Sequence, residues 1–451
     1  MAGADTGVAH TGDTNATEFS ANRAAGRSPH AAAKFVTYSL LVGAASGVFQ
    51  LGEVIAVKSL MAGALGVTLL TMANPIANLT SLWWSRVLAG RDQSAVLRNA
   101  ALGCGLAVAT GWFLGSLPHL FAIFFFYYAF LSLTYTVENR ALQQHISPRR
   151  TGRLFGVATA LRTVLGALVA AGAGFYMDRH SAGYRHLFGA SAVLCFVGIL
   201  HLATIPAARN GTQAPARLSL SLLFEPLAQV VPLLRARKDF LRFELGFMIY
   251  GCAYMMAMPI VPLFLVEDLE LSYGTIGLAR GGVHLAGLAL AMPLFGRLFD
   301  RSTPHRLSAA TFFLLAFFPL SLLAAAAAEG AWRLAFLYGG FGLFGFAMGG
   351  VVLLWSLSSI RFAGKEDVGA FHSIHVTATG IRGVFAPLLG LAVMTATSKE
   401  FALAVIAALW LLSALAMVAL RLLDIRTGAY RSLRAVTWEE RATIPDVEAR
   451  R

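Results

Sequence analysis

Charged side chains are scarce in this chain: they make up 13% of its 451 residues, against about 25% in an ordinary water-soluble protein. A soluble fold of this length could not cover its surface with so few, which excludes that class. Cysteine is almost missing. Cys104, Cys195 and Cys252 fall inside apolar blocks, without the spacing of a metal knuckle or a disulfide framework, and read as small packing residues. Acidic residues are the rarer sign, 23 against 36 Lys and Arg, for a formal balance of +13. No Gly-rich loop ending in Lys, no zinc-binding His-Glu-x-x-His helix and no catalytic dyad stands out. Nothing therefore points to ATP drive, to a metal or other cofactor, or to an enzyme.

What is abundant is apolar: 57% of the residues are hydrophobic. They cluster in blocks that extend to the roughly 20 residues a helix needs to cross hydrocarbon. Runs bounded by charge or turn residues predict spans near Phe35–Val57, Leu60–Trp84, Ala100–Leu117, Leu120–Glu138, Leu154–Tyr176 and His186–Ile205. A second set follows at Phe240–Val266, Tyr273–Leu298, Leu307–Ala328, Arg333–Ile360, Gly369–Thr395 and Phe401–Leu422. The expected architecture is an all-α membrane protein of twelve spans in two pseudo-symmetric six-helix bundles, residues 34–206 and 240–422. A polar tail (1–33), a linker (207–239) with an amphipathic piece around Leu218–Phe224, and a second tail (423–451) complete it. The first 33 residues lack the short apolar core and cleavage motif of a secretory signal, so the first span reads as retained.

Basic residues orient these spans, because Lys and Arg accumulate on the cytoplasmic side. With both termini inside, only Lys58, Arg179, Arg185, Arg333 and Lys399 fall outside, and only Arg162, Arg280 and Arg382 lie within spans; all other Lys and Arg fall on the inner segments. This alternation supports the count and the topology together. It also accounts for the positive balance without a nucleic acid, and it places the chain in the inner (plasma) membrane, with the lipid bilayer as its surroundings.

The two halves share a local pattern. The fifth span reads Ala158-Thr159-Ala160-Leu161-Arg162 and the eleventh Ala378-Thr379-Gly380-Ile381-Arg382, 220 residues later. A duplicated unit explains the match, and parallel repeats of this kind place a substrate site between the halves near mid-bilayer. An arginine at the bilayer centre costs about 2.5–3.5 kcal/mol on insertion scales, so each needs a cavity or a partner. On the eleventh span His372, His375, Thr379 and Arg382 share one stripe of the helix, and Thr159 and Arg162 form a shorter stripe on the fifth. Two such arginines could clamp an anion through bidentate bonds; the alternative is that each caps carbonyls or pairs with an acid nearby. On the first span Ser39, Gly43, Ser46, Gln50 and Glu53 line one face. Glu53 would be a proton carrier together with His284 or His375, or else a fixed partner of an arginine such as Arg280. Tyr128, Tyr250, Tyr254 and Trp355 are further candidates to line a path.

After the eighth span comes Gly296-Arg297-Leu298-Phe299-Asp300-Arg301. This stretch is similar to the G-x-L-x-D-R loop of the major facilitator superfamily of transporters, and the six-plus-six layout of residues 35–422 resembles that family as a whole. The stretch from His372 to Pro387 resembles a little-characterised bacterial branch of it. The resemblance implies a secondary transporter working by alternating access, with the fifth and eleventh helices at the interface of the halves. Gly296, Asp300 and Arg301 would form the inner gate. In the corresponding loop of the first half Ser85 stands where the Asp would be, and the fourth span has no internal arginine. The expected cargo is a small solute, anionic if the two arginines bind it, with protons as a coupling ion and a single chain as the working unit. Two other readings stay open from the residues alone: an exporter of amphipathic compounds, and a non-transporting assembly factor or sensor of the same fold.

Overall fold

The computed structural model describes residues 29–80, 84, 88, 91–145, 148–205, 232–363 and 368–426. In hydrocarbon no water satisfies backbone N–H and C=O groups, so each crossing must close its own hydrogen bonds as a helix; no strand occurs among the described residues. In chain order the helices are α1 His30–Lys58, α2 Ala64–Leu79, α3 Gln93–Ala109, α4 Leu117–His145, α5 Pro148–Arg179 and α6 Gly183–Ala203. After the linker come α7 Lys238–Asp268, α8 Tyr273–Phe299, α9 Pro304–Ala327, α10 Gly330–Ala363, α11 Val368–Ala396 and α12 Lys399–Arg426.

Ten helices among the described residues are long and apolar enough to cross a membrane. The second and third positions are held by shorter helices, α2 with 16 residues and α3 with 17. Two boundaries differ from the sequence expectation in ways that matter. The first helix begins at His30 rather than near Phe35, because Ala31–Ala33 are strong helix formers. The fourth continues past Glu138 to His145, which puts that carboxylate inside a helix rather than at its end. The amphipathic piece at Leu218–Phe224, most of the two tails and Ser85 of the first-half loop lie outside the described residues.

Packing repeats with a shift of six helices. In the first half α1 lies on α5 and α6, α3 on α4 and α6, and α2 on α4; in the second α7 lies on α11 and α12, α9 on α10 and α12, and α8 on α10. The core of the first half centres on Phe49, whose ring stacks 3.6 Å from Tyr127, with Phe124 and Phe188 against it. The second centres on Phe247 and on Tyr250, which stacks 4.3 Å from Phe312. Between the halves α5 packs on α8, α2 on α11 and α7, and the end of α1 on α7. The repeat-related arginines are thus carried by α5 and α11, both of which border the seam.

Close helix contact needs small residues. At Gly345 of α10 an added side chain would run into the backbone carbonyl of His284 on α8. Replacing Gly345 with valine is therefore expected to destabilise the second half by about 1–3 kcal/mol, the usual range for overpacking, and to lower the thermal unfolding midpoint in detergent. An unchanged midpoint would show that α8 can move aside freely.

Candidate functional site at the seam of the halves

In the first half, Arg162 of α5 is the hub. Its Nη2 lies 3.3 Å from Oε2 of Glu138 on α4 and donates to Oγ of Ser39 on α1 at 3.4 Å. The guanidinium stands over the rings of Tyr38 and Tyr135, 5.2 and 5.6 Å from their centroids. Tyr38 brings its hydroxyl 3.2 Å from Glu138 Oε2 and 3.1 Å from Thr134 Oγ1. Burial is uneven: the Arg162 side chain is 17% exposed and that of Glu138 only 4%. One turn earlier Thr159 is exposed, as is Tyr135. The open side of the cluster is therefore the guanidinium, with the carboxylate behind it.

The second half answers with a different arrangement. Arg382 of α11 is 3% exposed; it donates to the Phe247 carbonyl at 3.3 Å and to Thr379 Oγ1 at 3.0 Å, over the Phe247 ring. Among the described residues no carboxylate forms an ion pair with it, and its Nε has no partner. The nearby acid, Glu244 of α7, is engaged by His375, whose Nδ1 lies 2.8 Å from Oε1. Thr379 also donates to the His375 carbonyl at 2.9 Å, so three residues of the expected stripe form one unit. Trp355, exposed on α10, has its ring 6.0 Å from that of His375. The side chain of His372 lies outside the described residues. The two arginines are each held within their own half.

A third polar group joins the halves at the end opposite the linker. Glu53 of α1 pairs with Arg280 of α8 at 3.1 Å. Asp178, at the end of α5, accepts the backbone N–H groups of Tyr273 and Gly274 at 2.8 and 2.7 Å. It thereby caps the start of α8 from the other half. Lys58 donates to the Leu271 carbonyl at 2.6 Å, and Ser59 Oγ lies 2.7 Å from the Tyr273 hydroxyl. Beneath this clasp α5 and α8 close on small residues: a side chain added at Gly277 or Gly281 would meet Ala170. Tyr128 and Tyr254 lie within electrostatic reach of Glu53 and Arg280, so these sequence candidates gather under the clasp. Gln50 sits beside Gly166 of α5. The ring of His284 is 5.0 Å from that of Phe344, and its Nδ1 has no partner among the described residues. Tyr250 is buried in the core, its carbonyl accepting from Trp410 Nε1 at 3.2 Å.

At the linker end, Arg361 of α10 donates to the carbonyls of Phe299 and Ser302, both at 3.0 Å, and so ties down the chain around Arg301. Arg301 itself is exposed, and a side chain added at Gly296 would meet nothing. The side chain of Asp300 lies outside the described residues.

Sequence reasoning missed Glu138, Tyr38, Glu244 and Asp178. A signal existed for Glu138 and Glu244: each is a lone acid bordering or within an apolar run, and such acids are costly unless paired or functional. Asp178 carried none, because its partners are backbone groups of a distant helix.

Residues 243–439 match the sequence model of the Major Facilitator Superfamily. Across the chain, a mutant of the nucleoside transporter NupG superposes with a TM-score of 0.65 at 13% identity, covering 86% of this chain and 99% of that one. The second half thus resembles that superfamily in sequence, and the whole chain has the fold of these transporters. Two further transporters of this fold agree. The xylose transporter XylE from E. coli, in an inward-open conformation, gives a TM-score of 0.60 at 14% identity over 86% of this chain and 94% of that one. A POT family transporter bound to a thioalcohol-conjugated peptide gives 0.65 at 10% identity, over 87% and 96%. No curated protein matches the chain in a sequence comparison. The chain is accordingly a multi-pass membrane protein with the fold of these transporters.

Proposed function

We propose that this protein is a secondary transporter that moves a small solute bearing an anionic group by alternating access of its two halves. The observation that carries this reading is Arg162: a partly exposed guanidinium, held on a seam helix at the position where the repeat places Arg382 in the other half. The clasp of Glu53–Arg280 and Asp178 with α8 closes one end of the seam. The bias of Lys and Arg makes that end the outer one, with both termini in the cytoplasm and the solute site reached from inside. Helix interruptions such as the π-turns at Phe264–Asp268 and Leu278–Val283 lie beside the clasp, where α7 and α8 would have to bend. The working unit is the single chain in the inner membrane, and protons drive the uphill step.

Proteoliposomes loaded with unlabelled lactate, succinate or inorganic phosphate and diluted into the labelled compound test the reading by counterflow. Saturable exchange of at least one of these probes is the expected result. Equal leak into liposomes with and without the protein, for all three, would overturn it.

A further inference from the structure

We infer that Glu138 is the proton acceptor of this transporter, and that one proton travels with one anion because the Glu138 carboxylate and the anion compete for Arg162. The inference rests on the anionic-solute reading above and assigns its coupling residue.

The argument begins with charge balance. Among the described residues Arg162 has one carboxylate partner, Glu138, at 3.3 Å. Around Glu138 the neighbours are Arg162 from α5, the hydroxyl of Tyr38 from α1, and Tyr135 and Thr134 from α4 itself. No second cation stands among them, and α2 and α3, also packed on α4, bring no charged contact to Glu138 among the described residues. One guanidinium in a low-dielectric site cannot offset two anions. An anion that reaches the exposed side of Arg162 therefore leaves a surplus negative charge unless Glu138 takes up a proton. The proton adds to a Glu138 carboxylate oxygen, the guanidinium transfers its donors to the incoming anion, and for a singly charged anion the net charge of the cluster is the same before and after.

Tyr38 makes this exchange possible without an orphaned hydrogen bond. Its single hydroxyl proton has two acceptors at nearly equal distance, Glu138 Oε2 at 3.2 Å and Thr134 Oγ1 at 3.1 Å. With Glu138 ionised it can serve the carboxylate; with Glu138 protonated it can turn to Thr134. The second half lacks the equivalent among the described residues. Arg382 holds neutral acceptors, and Glu244 is occupied by His375. The exchange is thus assigned to one half alone, and the Glu53–Arg280 pair is left to the clasp.

Two measurements decide the matter. The first uses the unaltered protein in weakly buffered detergent with a pH-indicating dye and whichever of lactate, succinate or phosphate exchanges. Uptake of close to one proton per anion bound is expected, with apparent affinity rising about tenfold per unit fall in pH while Glu138 is ionised. Binding without proton uptake overturns the inference even where counterflow succeeds, which separates its failure from failure of the transport reading. The second compares Glu138→Gln, a permanent mimic of the protonated state. Proton uptake on anion binding is expected to be lost, the pH dependence of the apparent affinity to vanish, and accumulation driven by a proton gradient to fall to the equilibrium ratio. Accumulation like that of the unaltered protein, or proton uptake retained in the variant, would refute the assignment.

Discussion

Replacing Arg162 with alanine is expected to reduce counterflow by about a hundredfold or more. Hydrogen bonds to a charged group contribute about 1.5–3 kcal/mol each, and a bidentate anion would lose two; every 1.4 kcal/mol is about tenfold in affinity. The substitution alone is open to a second effect, because it strands Glu138, and an uncompensated buried charge costs about 3–5 kcal/mol. The pair Arg162→Gln with Glu138→Gln removes both charges together. It is expected to recover most of the thermal stability lost in Arg162→Ala and none of the flux. Flux recovered with stability would mean that the guanidinium serves the fold and not the solute. Arg162→Lys is expected to remain well below the unaltered protein, since an ammonium cannot hold Ser39, Glu138 and the two tyrosine rings in one plane.

The second large effect is expected at the clasp. Asp178 satisfies two N–H groups at the start of α8, from across the seam. Removing a carboxylate cap from a helix costs about 0.5–2 kcal/mol; here that loss falls only on the closed state, because opening breaks the same bonds. Asp178→Ala should therefore raise the fraction of molecules open at that end by roughly twofold to thirtyfold. A cysteine in place of Ala167, which faces Gly281 under the clasp, reports this through its rate of labelling by a membrane-impermeant maleimide. Faster labelling in the Asp178→Ala background is the expected result. No change in rate would mean that the clasp does not hold the closed state. The same logic gives Glu53→Gln a smaller effect, since the Glu53–Arg280 pair is partly exposed and exposed pairs contribute little.

The class of protein was legible because composition answers to solvent. A chain with so few charges has no alternative to lipid, and lipid leaves the backbone only the helix. The spacing of apolar runs then set the order of the helices. The repeat at Arg162 and Arg382 was visible because identical residues at matching positions survive without any knowledge of contacts. The stripe of His375, Thr379 and Arg382 was visible as well, since residues three and four apart on a helix must share a face, and those three do form one hydrogen-bonded unit.

Partnership across helices was the part withheld. Periodicity tells which residues share a face, but not which face of another helix it meets. Glu138 reads as the end of a span until α4 is seen to run on to His145 and to place it against α5. Glu53 had two open readings, proton carrier or arginine partner, and the meeting of α1 with α8 puts Arg280 3.1 Å away. Asp178 binds only main-chain groups 95 and 96 residues away, and backbone donors are alike in every sequence. By itself, then, the sequence determined solvent, helicity and the existence of two similar halves, all of which follow from local composition and spacing. Which charges neutralise one another, and which arginine keeps an exposed side, was decided only by the tertiary packing, because ion pairing depends on distances between residues that the chain order keeps far apart.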